Sequence, residues 1–207
     1  MKLLAATRSE GKQAEFRRLL EPAGIDLVFP EGAGLWESPV EDTLELAETF
    51  EGNARRKAEY FARLSGLPTV ADDSGLEVFA LGGAPGVRSR RWAGASGCAK
   101  EMDTANNAEL LRRLGGATGP RRQARYRCVL VYLPTPDAAG QVFEGACGGR
   151  ILEAARGEGG FGYDPLFYSD ELNRAFAEAS PEDKDAVSHR GRALRSLADA
   201  LRLPAGA

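Results

Sequence analysis

Apolar residues fall along this chain in short runs and helical stripes, with no long apolar block. Residues 2–6 and 25–29 read as short buried strands. Between them, residues 13–20 place Phe16, Leu19 and Leu20 on one helical face. Pro22 and Gly24 end that helix. Residues 30–39 form a Gly/Pro-rich loop. Glu41 or Asp42 then caps a long helix through Leu44, Leu46, Phe50, Ala54, Ala58, Phe61 and Leu64, interrupted by Gly52. A strand at 69–71 runs into an Asp72-Asp73-Ser74-Gly75 turn, and a second strand follows at 76–80. Residues 101–114 carry a Leu110, Leu111, Leu114 stripe. Residues 123–133 and 140–150 read as a hairpin-like strand pair around Pro134 and Pro136. A glycine-rich segment at 157–164, a short strand at 165–168, an acidic irregular stretch at 176–185 and a helix at 190–201 complete the chain. Strands and helices mix without strict alternation. The pattern therefore predicts an α/β fold on a mixed sheet, with 1–207 as a single domain.

Composition narrows the class. The 207 residues are 43% hydrophobic and 28% charged, which suits a globular chain with a sizeable core. A net charge of −3 shows no basic bias of the kind that drives nucleic-acid binding. Arginines are nevertheless dense at 88–91 and 121–127, where guanidinium forks suit anions or plain solvation. Cys98, Cys128 and Cys147 are far apart, form no CxxC pair, and with one histidine do not resemble a zinc site. No stretch reads as a signal peptide or a membrane span, so the expected compartment is the cytoplasm.

Four constellations carry candidate chemistry. Thr7-Arg8-Ser9-Glu10-Gly11-Lys12 lies between a strand and a helix start. Backbone N–H groups there, with a lysine, suit an anion. It is not a Walker A loop, because that motif needs a glycine where Ala6 stands. Asp72 and Asp73 repel each other unless a cation offsets them. With Glu45, Glu48 or Glu51 from upstream, they suit Mg²⁺, whose ligands are hard oxygens. Local turn chemistry explains the same pair equally well. Gly159 to Pro165 combines glycines, which permit close backbone approach, with Phe161 and Tyr163 as stacking surfaces for a base. Asp164 or its neighbouring backbone could read a base edge. Lys184 and Ser188-His189-Arg190-Gly191 form a cationic set suited to a polyanion or a purine. Together these describe a nucleotide site with Mg²⁺, where a carboxylate activates water to attack phosphorus.

These strings resemble the inosine/xanthosine triphosphate pyrophosphatases. The resemblance runs from Ala6-Thr7 to Lys12, through Thr49-Phe50-Glu51-Gly52-Asn53-Ala54, Ala71 to Leu76 and Leu81 to Val87, to Gly157 to Pro165 and Ser188 to Gly191. It implies an elongated mixed sheet flanked by helices, two lobes with a central cleft, and a homodimer. It implies that ITP, dITP and XTP become monophosphate and pyrophosphate. Thr7, Arg8, Ser9, Glu10, Gly11 and Lys12 would bind the triphosphate. Asp73 would be the catalytic base and a metal ligand, with Asp72 beside it and Glu45 as the other metal carboxylate. Ser74, Phe161, Gly162, Tyr163, Asp164, Lys184, His189 and Arg190 would contact the nucleotide. Three stretches depart from the family pattern: Ser9 stands for Asn, Gly52-Asn53 for Glu-Asn, and Arg88-Ser89-Arg90-Arg91-Trp92 for Tyr-Ser-Ala-Arg-Tyr/Phe. A pyrophosphatase of different base preference and a non-enzymatic nucleotide-binding module are the alternatives. Pyrophosphate release separates the second from an enzyme.

Overall fold

The structure, a computed structural model, describes residues 1–202. Its strands are β1 (Lys2–Ala5), β2 (Asp26–Val28), β3 (Thr69–Val78), β4 (Gln123–Leu133), β5 (Gln141–Ile151), β6 (Phe167–Ser169) and β7 (Arg174–Ala175). They form one seven-stranded sheet in the order β2-β1-β3-β4-β5-β6-β7. β1 runs parallel to β2 and β3, whereas β6 is antiparallel to β5 and β7, so the sheet is mixed as expected. The helices are α1 (Glu10–Leu20), α2 (Phe50–Ser65), α3 (Ala99–Leu114), α4 (Pro181–Val187) and α5 (His189–Arg202). None is long and apolar enough to cross a membrane.

Two compact units emerge. The first comprises Met1–Asp73, Cys128–Gly145 and the chain from Arg190. The second comprises Ser74–Arg127 and Ala146–His189. In the first unit, alternation along the strands feeds two cores. Leu3, Ala5, Val70, Cys128, Leu130 and Tyr132 pack with Phe16 and Leu20 of α1 and Leu194 and Leu197 of α5. Leu4, Ala6, Ala71, Val131 and Leu133 pack with Ala54, Ala58 and Phe61 of α2. Strands covered on both faces in this way read as nearly continuous apolar runs. The second unit has its own core. Leu76, Val78, Tyr126, Cys147 and Ile151 pack there with Leu110 and Leu114 of α3 and with Tyr163, Phe167 and Phe176.

Three stretches differ from expectation. Residues 69–78 are one uninterrupted strand, so Asp72 and Asp73 stand in mid-strand and not in a turn. Local Asp chemistry favours turns, but the place of β3 between β1 and β4 and the cations described below override it. The long helix expected from residue 41 is broken. A 3-10 turn at Pro39–Thr43 is followed by irregular chain, and α2 starts only after Thr49. Thr49 caps α2 by accepting the Gly52 N–H at 3.0 Å. The acidic stretch after Phe176 contains a 3-10 turn and then α4. Ser180 accepts the Asp183 N–H at 3.0 Å, and Pro181 opens α4 where a missing N–H costs nothing.

Gly52 is therefore a first-turn residue, not a mid-helix defect. A β-carbon there would meet the Ala47 Cβ at 2.8 Å and the Thr49 Oγ1 at 3.0 Å. Gly52→Ala would gain at most about 1 kcal/mol of helix propensity, the value for a helix interior. Overpacking of this kind costs about 1–3 kcal/mol, so a net loss in urea unfolding is expected. A more stable variant would show that the loop at residue 47 yields freely.

Candidate active site

Successive side chains on a strand point to opposite faces. Asp72 and Asp73 are thereby sent to different partners, which solves the repulsion that their adjacency poses. Asp72 shares the face of Val70, toward α1 and α5. Asp73 shares the face of Ala71, toward α2.

Asp72 is 1% exposed. Its Oδ2 lies 2.9 Å from the Lys12 Nζ and 3.3 Å from the Arg190 Nε. Arg190, also buried, reaches on to Glu15 of α1 with its Nη1. Burial opposes ionisation of Asp72, but Lys12, Arg190 and Lys57 outweigh it and hold the carboxyl well below the usual range. Arg190 is likewise held charged: burial works against it, and Glu15 and Asp72 win.

Asp73 has weaker compensation. Its Oδ2 accepts the Asn53 Nδ2 at 2.8 Å, and its Oδ1 stands 3.8 Å from the Lys57 Nζ. That ammonium sits closer to Glu45, at 2.7 Å from Oε1. Burial raises the Asp73 pKa above its ordinary value. Lys57 and Lys12 pull it back, Glu45 pushes it up further, and the net shift is upward. Lys57 itself stays charged, because Glu45, Asp73 and Asp72 outweigh its desolvation. Neighbouring carboxylates are thus pushed apart in pKa, an arrangement that separates a structural carboxylate from a reactive one.

The Glu45 and Asp73 carboxylates converge on one ammonium, so a cation belongs between them. Among the described residues no cluster of three or more His, Cys, Asp or Glu could cage a metal. Two carboxylates fit Mg²⁺, which keeps several waters and takes its other oxygens from phosphates. Asp73, buried and incompletely neutralised, would gain most from such an ion. Of the other upstream acids, Glu48 is exposed and Glu51 pairs with Arg55 at 2.8 Å on the surface of α2.

The segment from Thr7 to Lys12 leads from β1 into α1. Thr7 is buried, and its Oγ1 accepts the Ser9 N–H at 3.3 Å. Ser9 is the N-cap residue of α1 without a side-chain cap bond, Glu10 is exposed in the first turn, and Gly11 precedes Lys12. Arg8 is turned to other work. Its guanidinium takes both oxygens of Glu41 at 2.7 Å, Glu31 at 2.6 Å and the Leu35 carbonyl at 3.1 Å. Those bonds raise its pKa and fasten the 31–41 loop to the segment.

In the second unit, the glycine-rich segment is ordered by Asp164. Its Oδ2 accepts the Lys184 Nζ at 2.6 Å and the Phe161 N–H at 2.9 Å, and its Oδ1 lies 3.5 Å from the Tyr126 hydroxyl. A β-carbon at Gly160 would strike that carboxylate at 2.2 Å, so glycine is required there. The Lys184 ammonium also stands 4.7 Å from the centre of the Phe161 ring, a favourable cation–π placement. Tyr163 is buried and donates its hydroxyl to the Ser89 carbonyl at 2.8 Å. His189 is buried and stacks on Tyr126, with centroids 4.5 Å apart and planes 5° apart. Ser74 is half-buried on β3. His189 and Arg190, neighbours in sequence, belong to different units.

The sequence motifs give no role to Asn53, Lys57 or Glu15, although Asn53 lies in the Thr49-to-Ala54 stretch. Their signal was a polar residue on a core-facing helical position. Asn53 and Lys57 share the stripe of Ala54, Ala58 and Phe61, and Glu15 precedes the core residue Phe16.

Residues 3–200 match the Ham1 family. The chain belongs to that family. The dITP/XTP pyrophosphatase of Thermus thermophilus is 46% identical over 98% of this chain and 92% of its own length. That of Ralstonia nicotianae is 46% identical over 98% and 97%. Among solved structures, a HAM1 protein from Coxiella burnetii superposes with a TM-score of 0.83 at 35% identity, covering 97% of this chain and 98% of that one. A nucleoside-triphosphatase/dITP/XTP pyrophosphatase from Mycobacterium abscessus gives 0.71 at 41% identity, covering 98% and 100%. The Ham1 fold of mixed sheet and flanking helices is thus confirmed by both sequence and shape.

Proposed function

We propose that this Ham1-family chain hydrolyses ITP, dITP and XTP to the monophosphate and pyrophosphate, with Mg²⁺, and so clears deaminated purines from the nucleotide pool. The observation that carries the reading is Asp73: a buried carboxylate of raised pKa, paired with Glu45 around one ammonium. Asp73 takes the proton of the attacking water, and the bond between the α- and β-phosphates breaks with pyrophosphate as leaving group. Glu45 and Asp73 would hold the ion, which when bound would supply charge screening for the phosphates. Lys12, set by Asp72 and Arg190, meets the triphosphate with Thr7, Ser9, Glu10 and Gly11, while Arg8 braces the segment. Phe161, Gly162, Tyr163, Asp164 and Lys184, with Ser74 and His189, shape the base and sugar site. A 6-oxo purine is accepted there, whereas the 6-amino group of adenine sets donor against donor, a mismatch that discriminates strongly. Residues 1–207 act as one catalytic domain in a cytoplasmic homodimer, on free nucleotides and not on nucleic acid.

The test is product analysis across ITP, dITP, XTP and the four common triphosphates, with and without Mg²⁺. The expected products are pyrophosphate and monophosphate, formed fastest from the deaminated purines and only with the metal. Orthophosphate as product, or binding without turnover, overturns the reading.

A further inference from the structure

Helix α3 carries a polar face at its N-terminal half, ahead of the Leu110 and Leu114 positions that enter the core. Asp103 and Asn107 lie one turn apart on it and converge on one residue of the glycine-rich segment. The Asp103 Oδ2 accepts the Gly162 N–H at 2.7 Å, and the Asn107 Nδ2 donates to the Gly162 carbonyl at 2.9 Å. The two peptide planes that flank Gly162 are therefore both fixed, one by an acceptor and one by a donor. Gly162 has φ of 65°, a conformation that glycine holds at little cost. On its N-terminal side, Phe161 is tied through its N–H to Asp164, and on its C-terminal side Tyr163 is tied to the Ser89 carbonyl. Phe161 as a residue is half-buried, with the Lys184 ammonium 4.7 Å from its ring centre. Its backbone neighbours are thus held on both sides.

The Asp103 Oδ2 and the Asn107 Nδ2 are both engaged by the Gly162 backbone, and α3 lies in the second unit with Phe161, Asp164 and Lys184. A loop rich in glycine loses much conformational freedom when it orders around a ligand. Fixing it beforehand removes that cost from binding.

We propose that Asp103 and Asn107 are positioning residues, which lock the peptide planes around Gly162 and so preset Phe161 as the stacking platform for the purine. This rests on the reading that Phe161 faces the base. The clamp acts on affinity for the base-bearing substrate and leaves phosphate binding and the chemical step alone.

The test measures KM and kcat for dITP in Asn107→Asp, Asp103→Ala and Asp103→Asn, together with inhibition by inorganic tripolyphosphate, which has phosphates but no base. Asn107→Asp keeps the shape and loses the donor, and Asp103→Ala loses the acceptor. Each is expected to raise KM for dITP about tenfold, the value of one lost hydrogen bond at the upper end. In both, kcat and the inhibition constant of tripolyphosphate stay close to wild type. Asp103→Asn, whose amide oxygen still accepts the Gly162 N–H, recovers most of the loss. An unchanged KM in both Asn107→Asp and Asp103→Ala overturns the clamp, as does tripolyphosphate inhibition that weakens in step with KM. Failure of Asp103→Asn to recover affinity also overturns it. A wild-type protein that does not turn over dITP overturns the proposed function instead, and the clamp falls with it.

Discussion

Asp73→Asn is expected to abolish turnover while raising the melting temperature of the metal-free protein at neutral pH. Loss of a general base alone costs about 10²–10⁴-fold in rate, and the amide is also a poor ligand for the ion. The stability effect follows from the raised pKa of Asp73. A carboxyl whose pKa is higher folded than unfolded binds protons more readily in the folded state. It leaves stability untouched below the ordinary carboxylate range and costs stability as pH rises through the folded value. Asparagine is neutral at every pH, and its amide oxygen can still accept the Asn53 Nδ2 that now bonds Asp73. The advantage of the variant is therefore greatest near pH 7 and shrinks as the pH is lowered toward about 4. Each kcal/mol gained appears as about 2–4 °C in a chain of this size. Mg²⁺ should raise the melting temperature of the wild type and leave the variant unmoved, because only the folded site with its carboxylate binds the ion. Retained turnover would remove Asp73 as base. A variant less stable at pH 7 would show that Lys57 and Asn53 already compensate the charge in full.

That expectation could not be reached from sequence, although its residues were in plain view. Asp72, Asp73 and Lys12 stand out by residue type and order, whereas Glu45 is separated from Glu48 and Glu51 only by the family resemblance. What could not be seen was that β3 continues through the pair, so that strand alternation sends the two carboxylates to opposite faces. A turn and a strand are separated here by long-range partners, Lys12 and Arg190 on one side and Lys57 on the other. None of these lies within a window that local propensity can read. Secondary structure followed the same rule. Residues 123–133 were legible as a strand because the apolar run is unbroken, and α4 was missed because its signal is a Ser-Pro cap and not a stripe. The roles of Arg8 and Arg190 were hidden for a related reason. A guanidinium is read from sequence as a grip for phosphate, and only the fold shows that Glu41 and Glu31, or Glu15 and Asp72, already fill it.

Arg190→Ala should accordingly act on the fold before it acts on substrate. Arg190 is 2% exposed, and its guanidinium pairs with two carboxylates that are themselves buried, Asp72 at 1% and Glu15 at 3%. Removing it leaves two acceptor-only groups facing each other in a site closed to water, with Lys12 as the nearest remaining cation on Asp72. Breaking a buried ion pair in this way costs about 3–5 kcal/mol, or about 6–20 °C in melting temperature for a chain of this length. The loss depends on pH in a defined direction. Asp72 has a depressed pKa in the folded protein, so it contributes stability above the ordinary carboxylate value and loses it as pH falls through the folded value. Without Arg190 that contribution shrinks, and the gap between wild type and variant is widest near neutrality and narrows in acid. Arg190→Lys keeps the charge but lacks the fork that serves Glu15 and Asp72 together, and should fall between the two. Activity is expected to follow through Lys12, whose ammonium is placed by the Asp72 that Arg190 secures. A variant with wild-type melting and a raised KM would mean that Arg190 leaves Glu15 and Asp72 to contact the nucleotide directly. Melting curves from pH 2 to 8, run beside initial rates on dITP at neutral pH, decide between the two.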